Sequence, residues 1–250
     1  MILEFQNDPI LRKWIQPKYL APQSLHDAVE AKPYIKYLVL DDFFNAKPLD
    51  DLIQKHHQLN FREDDIGLHY DSTAMRISSH DKWGSELFFH KGWHEYCAYI
   101  VGVHLQKPGK TVVKLRQHPK EAKGFWVHTD ISKNESKAMT VLGYFNKGWS
   151  KEDGGLLQLW RAYTLNNNHA PSYRWEDYEN KRLSFLSQET HFSITAVAPV
   201  GLLPLEVELL EQIKPIYNRV VFCDFQRNPA FHSITPSNNS VRNGFVQWLY

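Results

Sequence analysis

Two residues near the middle of the chain have the types and spacing for metal chemistry. In the run Gly124-Phe125-Trp126-Val127-His128-Thr129-Asp130, a histidine and a carboxylate stand two positions apart. Alternate residues leave a strand on the same face, so His128 and Asp130 aim at one spot. An imidazole and a carboxylate are two thirds of the facial triad that holds non-heme Fe(II). Alone, the pair carries little weight. The chain has thirteen histidines, and an H-x-D spacing arises among them by chance. Only distant partners give it meaning.

Those partners are in the last 35 residues. Phe231-His232-Ser233-Ile234-Thr235 reads as a strand, Pro236-Ser237-Asn238-Asn239 as a turn, and Val241–Tyr250 as a returning strand. A hairpin centred near Ser237 predicts that His232 and Arg242 are cross-strand neighbours on one face. That places a third ligand beside a guanidinium, which grips a carboxylate through two parallel hydrogen bonds. A small dicarboxylate would then chelate the metal at one end and pair with Arg242 at the other. An α-keto acid with a distal carboxylate describes 2-oxoglutarate. Singly, His232 reads as a polar rim residue and Arg242 as a surface charge; their joint occurrence with H-x-D makes the site.

The elements that must position these residues follow from composition and pattern. The chain has 250 residues, 42% hydrophobic and 23% charged, with a net charge of +1. That balance argues against a surface built to hold nucleic acid or anionic membrane. No run approaches the length of a membrane span and no basic-then-apolar leader is seen, so a cytoplasmic location is expected. Cys97 and Cys223 read as buried thiols. Residues 1–33 read as an irregular or partly helical arm, 34–40 as a strand, Pro48 to about Leu59 as a helix, 74–77 as a short strand, and Ser85–His104 as one helix. His90 and His94 stand at i and i+4 on the last, but no third ligand accompanies them, and they read as surface or half-buried residues. From Thr111 onward strands dominate: 112–118, 124–130, 138–146, 155–161, 192–200, 218–225, 231–235 and 241–250. The run 205–214 fits a helix or an irregular strand. The expected architecture is mainly β with flanking helices, a double-stranded β-helix (jelly roll, cupin-like). One domain spans 1–250, with an arm and supporting helices over 1–110, a jelly-roll core over 111–250 and an insertion near 162–205.

With these residues in place, the chain resembles the Fe(II)/2-oxoglutarate-dependent dioxygenases, and more narrowly their prolyl 4-hydroxylase-like branch. The resemblance covers roughly residues 111–161 and 214–250, and more weakly 34–60. Val141-Leu142-Gly143-Tyr144-Phe145-Asn146, Trp149 and Asp153-Gly154-Gly155-Leu156-Leu157 are similar to the family's Tyr-Leu-Asn, Trp and Gly-Gly pattern. By that resemblance Tyr144 donates to the distal carboxylate beside Arg242, Leu157 lines the same pocket, and Trp248 matches the aromatic after the Arg strand. Where prolyl hydroxylases often carry a tyrosine ten residues before the first iron-binding histidine, this chain has His118. The resemblance implies Fe(II), 2-oxoglutarate, O2, and ascorbate as reductant. The reaction implied is hydroxylation of an unactivated C–H bond, with release of succinate and CO2. The substrate implied is a prolyl residue of a peptide or protein, or a small amino-acid-like molecule. Arg76, Arg116 and Trp126 are candidate substrate contacts. Asp130 argues against halogenation, which needs the carboxylate position vacated. Two other classes remain open: a non-catalytic scaffold domain, and a cupin-type metalloenzyme with a richer His/Glu ligand set and no need of Arg242.

Overall fold

The computed structural model describes residues 2–56, 58–59, 61–63, 73–77, 80, 84–130, 137–166, 168, 177–178, 190–198, 201–227 and 230–250, with backbone alone at 2–3, 62–63, 73–77, 126, 177–178, 192, 194–198 and 201–203. The N-terminal arm is mostly helical: α1 (Ile2–Asn7), α2 (Pro9–Trp14), a 3-10 turn at Pro17–Tyr19 and α3 (Gln23–Glu30). Asp8 caps α2, its Oδ1 accepting from the Ile10 and Leu11 amides at 2.8 and 3.0 Å. Strand β1 (Tyr37–Leu40) and helix α4 (Ala46–His56) follow, then β2 (Arg62–Glu63) and β3 (Thr73–Ile77).

The single helix expected over 85–104 is two helices, α5 (Ser85–Phe88) and α6 (Lys91–Val101). His90 separates them, with extended backbone (ψ 129°) at the start of α6. Its ring explains the break, since Nε2 lies 2.6 Å from Asp8 Oδ2. His94 instead donates from Nε2 to the Phe88 carbonyl at 2.7 Å. The two histidines therefore serve α2 and α5 and hold no common ligand.

The remaining strands are β4 (Thr111–His118), β5 (Phe125–His128), β6 (Met139–Tyr144), β7 (Leu157–Thr164), β8 (Asp177–Tyr178), β9 (His191–Ala198), β10 (Gly201–Ile213), β11 (Val220–Asp224), β12 (His232–Ile234) and β13 (Arg242–Leu249). The run 205–214, left between helix and strand by its pattern, is strand, with a bulge between Leu209 and Glu211. Among the described residues the strands form two sheets, ordered β1-β11-β6-β13-β4-β3-β2 and β5-β12-β7-β10-β9-β8. Every strand pairing within them is antiparallel.

Alternation along each strand sorts side chains into two cores. On β4 and β13 the odd positions Val113, Leu115, Phe245 and Leu249 pack with Phe43, Trp93 and Tyr96 under the helices. From β13, β6 and β7, Val246, Trp248, Tyr144, Leu157 and Leu159 fill the space between the sheets. The molecule is thus three layers: helices, large sheet, small sheet. The site opens between the two sheets.

One expectation is corrected here. His232 and Arg242 are not cross-strand neighbours, because β12 belongs to the small sheet and β13 to the large one. The intervening turn is a crossing between sheets. It is held by Gly155 N–H to Pro236 O (2.8 Å), Ser237 N–H to Ala122 O (2.9 Å) and Asn238 N–H to Asp153 O (2.8 Å). These contacts leave no hairpin ladder between the two strands. The cross-strand partner of Arg242 is His118.

Candidate metal centre and its cavity

Strands β5 and β12 pair with His128 directly opposite His232. Their ring centroids lie 4.2 Å apart. Asp130 follows just past the end of β5, its Oδ1 3.6 Å from His128 Nε2. One ligand atom from each of His128, Asp130 and His232 lies within 4.8 Å of the others. His232 donates from Nδ1 to the Ala230 carbonyl at 2.9 Å, which leaves Nε2 with its lone pair toward the cluster. Phe125 packs edge-on against His128 at 4.0 Å between centroids.

The electrostatics favour ligands ready to bind. Burial alone would raise the Asp130 carboxyl, but its interaction with His128 and the nearby His232 and Lys137 outweigh it, leaving Asp130 well below the usual carboxylate range. Burial, then the neighbouring His128, pushes His232 down to about 4. Asp130 is thus ionised and His232 neutral at pH 7, the states in which each coordinates metal.

The large sheet supplies the opposite wall. Trp248 of β13 donates from Nε1 to Asp130 Oδ2 at 2.6 Å. The Arg242 guanidinium lies 5.0 Å from the centre of the Tyr144 ring. Its Nε is buried and meets no hydrogen-bond partner among the described residues. A buried donor in that state is suited to an incoming anion. The cavity between the walls measures about 490 Å³, a size ordinary for a small-molecule site. His128, Asp130, His232, Arg242, Tyr144, Leu157 and Arg116 all line it.

Of the other expected residues, only His118 has a described side chain. His118 is fully buried beside Arg242 and is not among the lining residues. Burial, with Arg242 and Arg116 nearby, holds its pKa well below the usual histidine value. The backbone of Arg76 pairs with Lys114. The side chains of Arg76 and Trp126 lie outside the described residues. The lining residues that were not anticipated include Lys114, Lys137 and Ile234. Lys114 was accessible from parity, since it shares a face of β4 with Arg116. Lys137 donates to the Asp130 carbonyl at 3.0 Å from a segment before β6, and no sequence period announces it.

Two nitrogens and one carboxylate oxygen at this spacing fit the 2-His-1-carboxylate triad. The buried guanidinium beside a tyrosine fits the distal carboxylate of a chelating cosubstrate. Both Cys97 and Cys223 are buried free thiols and take no part.

No protein-family model and no curated protein sequence matches the chain. Solved structures do. A prolyl-4-hydroxylase of Pseudomonas putida matches with a TM-score of 0.57 at 12% identity, over 91% of this chain and 97% of that one. A Trichoplax adhaerens prolyl hydroxylase, in complex with a hypoxia inducible factor peptide fragment, matches with a TM-score of 0.56 at 12% identity, over 92% and 88%. HygX of Streptomyces hygroscopicus, with nickel and 2-oxoglutarate bound, matches with a TM-score of 0.53 at 10% identity, over 91% and 86%. At such identities the likeness is one of architecture: the chain has the jelly-roll fold of the prolyl-4-hydroxylases and other 2OG-Fe(II) oxygenases.

Proposed function

We propose that the protein is an Fe(II)- and 2-oxoglutarate-dependent oxygenase that hydroxylates an unactivated C–H bond of a prolyl residue or an amino-acid-like substrate, with release of succinate and CO2. The observation that carries the reading is the convergence of His128, Asp130 and His232 in one cavity with the buried Arg242. The 2-oxoglutarate and nickel bound by HygX, on the same fold, support it.

Fe(II) with 2-oxoglutarate, when bound, would supply the oxidising chemistry that places an oxygen atom from O2 in a C–H bond. The chain's own residues prepare for it. His128, Asp130 and His232 would hold the metal, and its remaining positions would be open to exchangeable ligands. The Ala230 carbonyl fixes the His232 tautomer, and Trp248 turns the Asp130 carboxylate. Arg242 and Tyr144 would hold the distal carboxylate of 2-oxoglutarate. Leu142, Leu157 and Val246 keep that end of the cavity dry, which strengthens the charge pairing there.

The test is an anaerobic titration with Fe(II) and 2-oxoglutarate, followed by visible absorbance, on the wild type and His128→Ala. The expected outcome is a metal-to-ligand charge-transfer band in the wild type alone. Absence of the band in a folded wild type would sink the reading.

A further inference from the structure

We propose that Asn146 is a positioning residue for the cosubstrate: its side-chain amide fixes the backbone beside Arg242, and so sets the grip on the distal carboxylate of 2-oxoglutarate. The proposal rests on the oxygenase reading above and deepens it. Asn146 is not among the residues that line the cavity, so it acts through Arg242 and not by contact.

The end of the β6–β13 ladder carries the first observation. Regular pairing stops with Tyr144 opposite Gly244, short of Arg242. The next hydrogen-bonded pair of an antiparallel ladder exchanges two bonds. Here Phe145 N–H reaches the Asn243 carbonyl at 3.1 Å, but the return bond from Asn243 N–H goes to Asn146 Oδ1 at 2.8 Å. Asn146 Nδ2 also donates to the Asn243 carbonyl at 3.2 Å. One side-chain amide thus engages both backbone groups of the residue next to Arg242, as a strand peptide would. The Asn146 backbone is used elsewhere: it bridges to Ile216, and its carbonyl accepts from Tyr217 N–H at 2.8 Å.

The chemistry of the amide is the second. Nδ2 donates to the Pro215 carbonyl as well, at 2.8 Å, in a buried setting. Asn146 therefore uses its oxygen and both N–H groups at once. Aspartate has no donor for the two carbonyls, and glutamine is one methylene too long. Through these bonds the end of β6, the turn before β11 and the start of β13 are one piece. Tyr144 and Arg242, whose guanidinium lies 5.0 Å from the Tyr144 ring centre, stand at its edge. A guanidinium holds a carboxylate through two parallel bonds of fixed geometry, so displacement of its backbone is felt directly.

The third is the separation of this piece from the metal ligands. His128 and His232 stand on β5 and β12 of the small sheet, and Asp130 just past β5. The bonds of Asn146 all lie with the large sheet and the turn before β11. Trp248, which reaches Asp130 from β13, sits inside the regular ladder, paired with Thr140 and Val112. A change at Asn146 therefore reaches the cosubstrate end of the cavity and leaves the metal end in place.

The experiment uses the Mn(II)-loaded protein with two probes, 2-oxoglutarate and oxalate, titrated by calorimetry. Oxalate chelates a metal but has no distal carboxylate to reach Arg242. Mn(II) affinity is measured alongside by equilibrium dialysis. Asn146→Ala is expected to weaken 2-oxoglutarate by about tenfold or more, the scale of a misaligned charge-assisted pair. Mn(II) and oxalate affinities should stay at the wild-type level. Asn45→Ala is the control for lost stability. It removes an amide that donates to the Arg12, Lys13 and Ile15 carbonyls, and it should leave all three affinities unchanged. Should Asn146→Ala fail to fold, Asn146→Ser, which keeps a hydroxyl in place of the amide, takes the same comparison. Failure of both to fold overturns the proposal, by assigning the residue to the fold as a whole. Unchanged 2-oxoglutarate affinity overturns it, as does an equal loss for oxalate or an equal effect of Asn45→Ala. A Mn(II)-loaded wild type that binds no 2-oxoglutarate overturns the oxygenase reading itself, and this proposal with it.

Discussion

Trp248 reaches Asp130 from the opposite sheet and takes one of its two oxygens, donating to Oδ2 at 2.6 Å. The other, Oδ1, is left on the side of His128. Such a partner selects which oxygen is offered to a metal and fixes its direction, and losing one typically costs 10–100-fold in metal affinity. Trp248→Phe keeps an aromatic ring in the core and removes the N–H. We predict that Mn(II) or Co(II) binding, measured by equilibrium dialysis, weakens by about 10–100-fold, while the thermal midpoint moves little. Unchanged affinity would show that the bond serves packing alone. The contrast between Trp248 and His128 also shows what sequence reveals at this scale. His128 and Asp130 share one strand end, and a two-residue spacing places them. Trp248 meets Asp130 across two sheets and 118 positions of chain, so only its kind, an aromatic in the Arg strand, was legible.

At the scale of elements, the Gly154-Gly155 pair locks the approach to β7 against the crossing between β12 and β13. Gly154 has φ 69° and ψ −144°, a region open essentially to glycine alone. A Cβ there would lie 2.0 Å from the Pro236 carbonyl oxygen. The next residue donates its amide to that same carbonyl, and the Trp149 indole donates to the Gly154 carbonyl at 3.0 Å. Gly154→Ala therefore forces the Pro236–Ser237 segment to move, and with it the strands that carry His232 and Arg242. The backbone strain alone is about 1–3 kcal/mol. We predict a loss of stability of at least about that size in urea unfolding, with metal and 2-oxoglutarate affinities both reduced. Full stability in the variant would mean that the crossing is plastic. The Gly-Gly pattern was visible in the sequence, but its purpose was not. The same crossing was read as a hairpin because two alternating strands joined by Pro-Ser-Asn-Asn look alike whether they pair or part. The long helix over 85–104 failed for a similar reason: its apolar period continues through His90, and only the distant Asp8 makes that residue a break.

For the molecule as a whole, the helical layer is tied to the large sheet by polar groups set in an otherwise apolar seam. Gln247 of β13 accepts from the Trp93 indole and donates to the Phe88 carbonyl, each at 2.8 Å. His94 donates to that same carbonyl. On the other face of the sheet, His118 is buried next to Arg242. Burial is the leading cause that lowers both histidines from the ordinary value. Each ring is therefore neutral in the folded protein over a range where the unfolded chain, with histidine near 6.5, takes up a proton. The unfolded state then binds more protons, and stability must fall as pH falls. The contribution of these rings is complete above about pH 6.5 and is lost progressively below it. Each ring adds a slope of up to about 1.4 kcal/mol per pH unit. Urea unfolding of the metal-free protein from pH 7.5 to 4.5 should show this decline beginning near pH 6.5, well above the carboxylate range. His94→Gln, which keeps an N–H for the Phe88 carbonyl and cannot titrate, should reduce the slope relative to wild type. A stability that stays level down to pH 4.5 would mean that both rings accept protons within the fold, and that the helical layer parts from the sheet more readily than its packing implies.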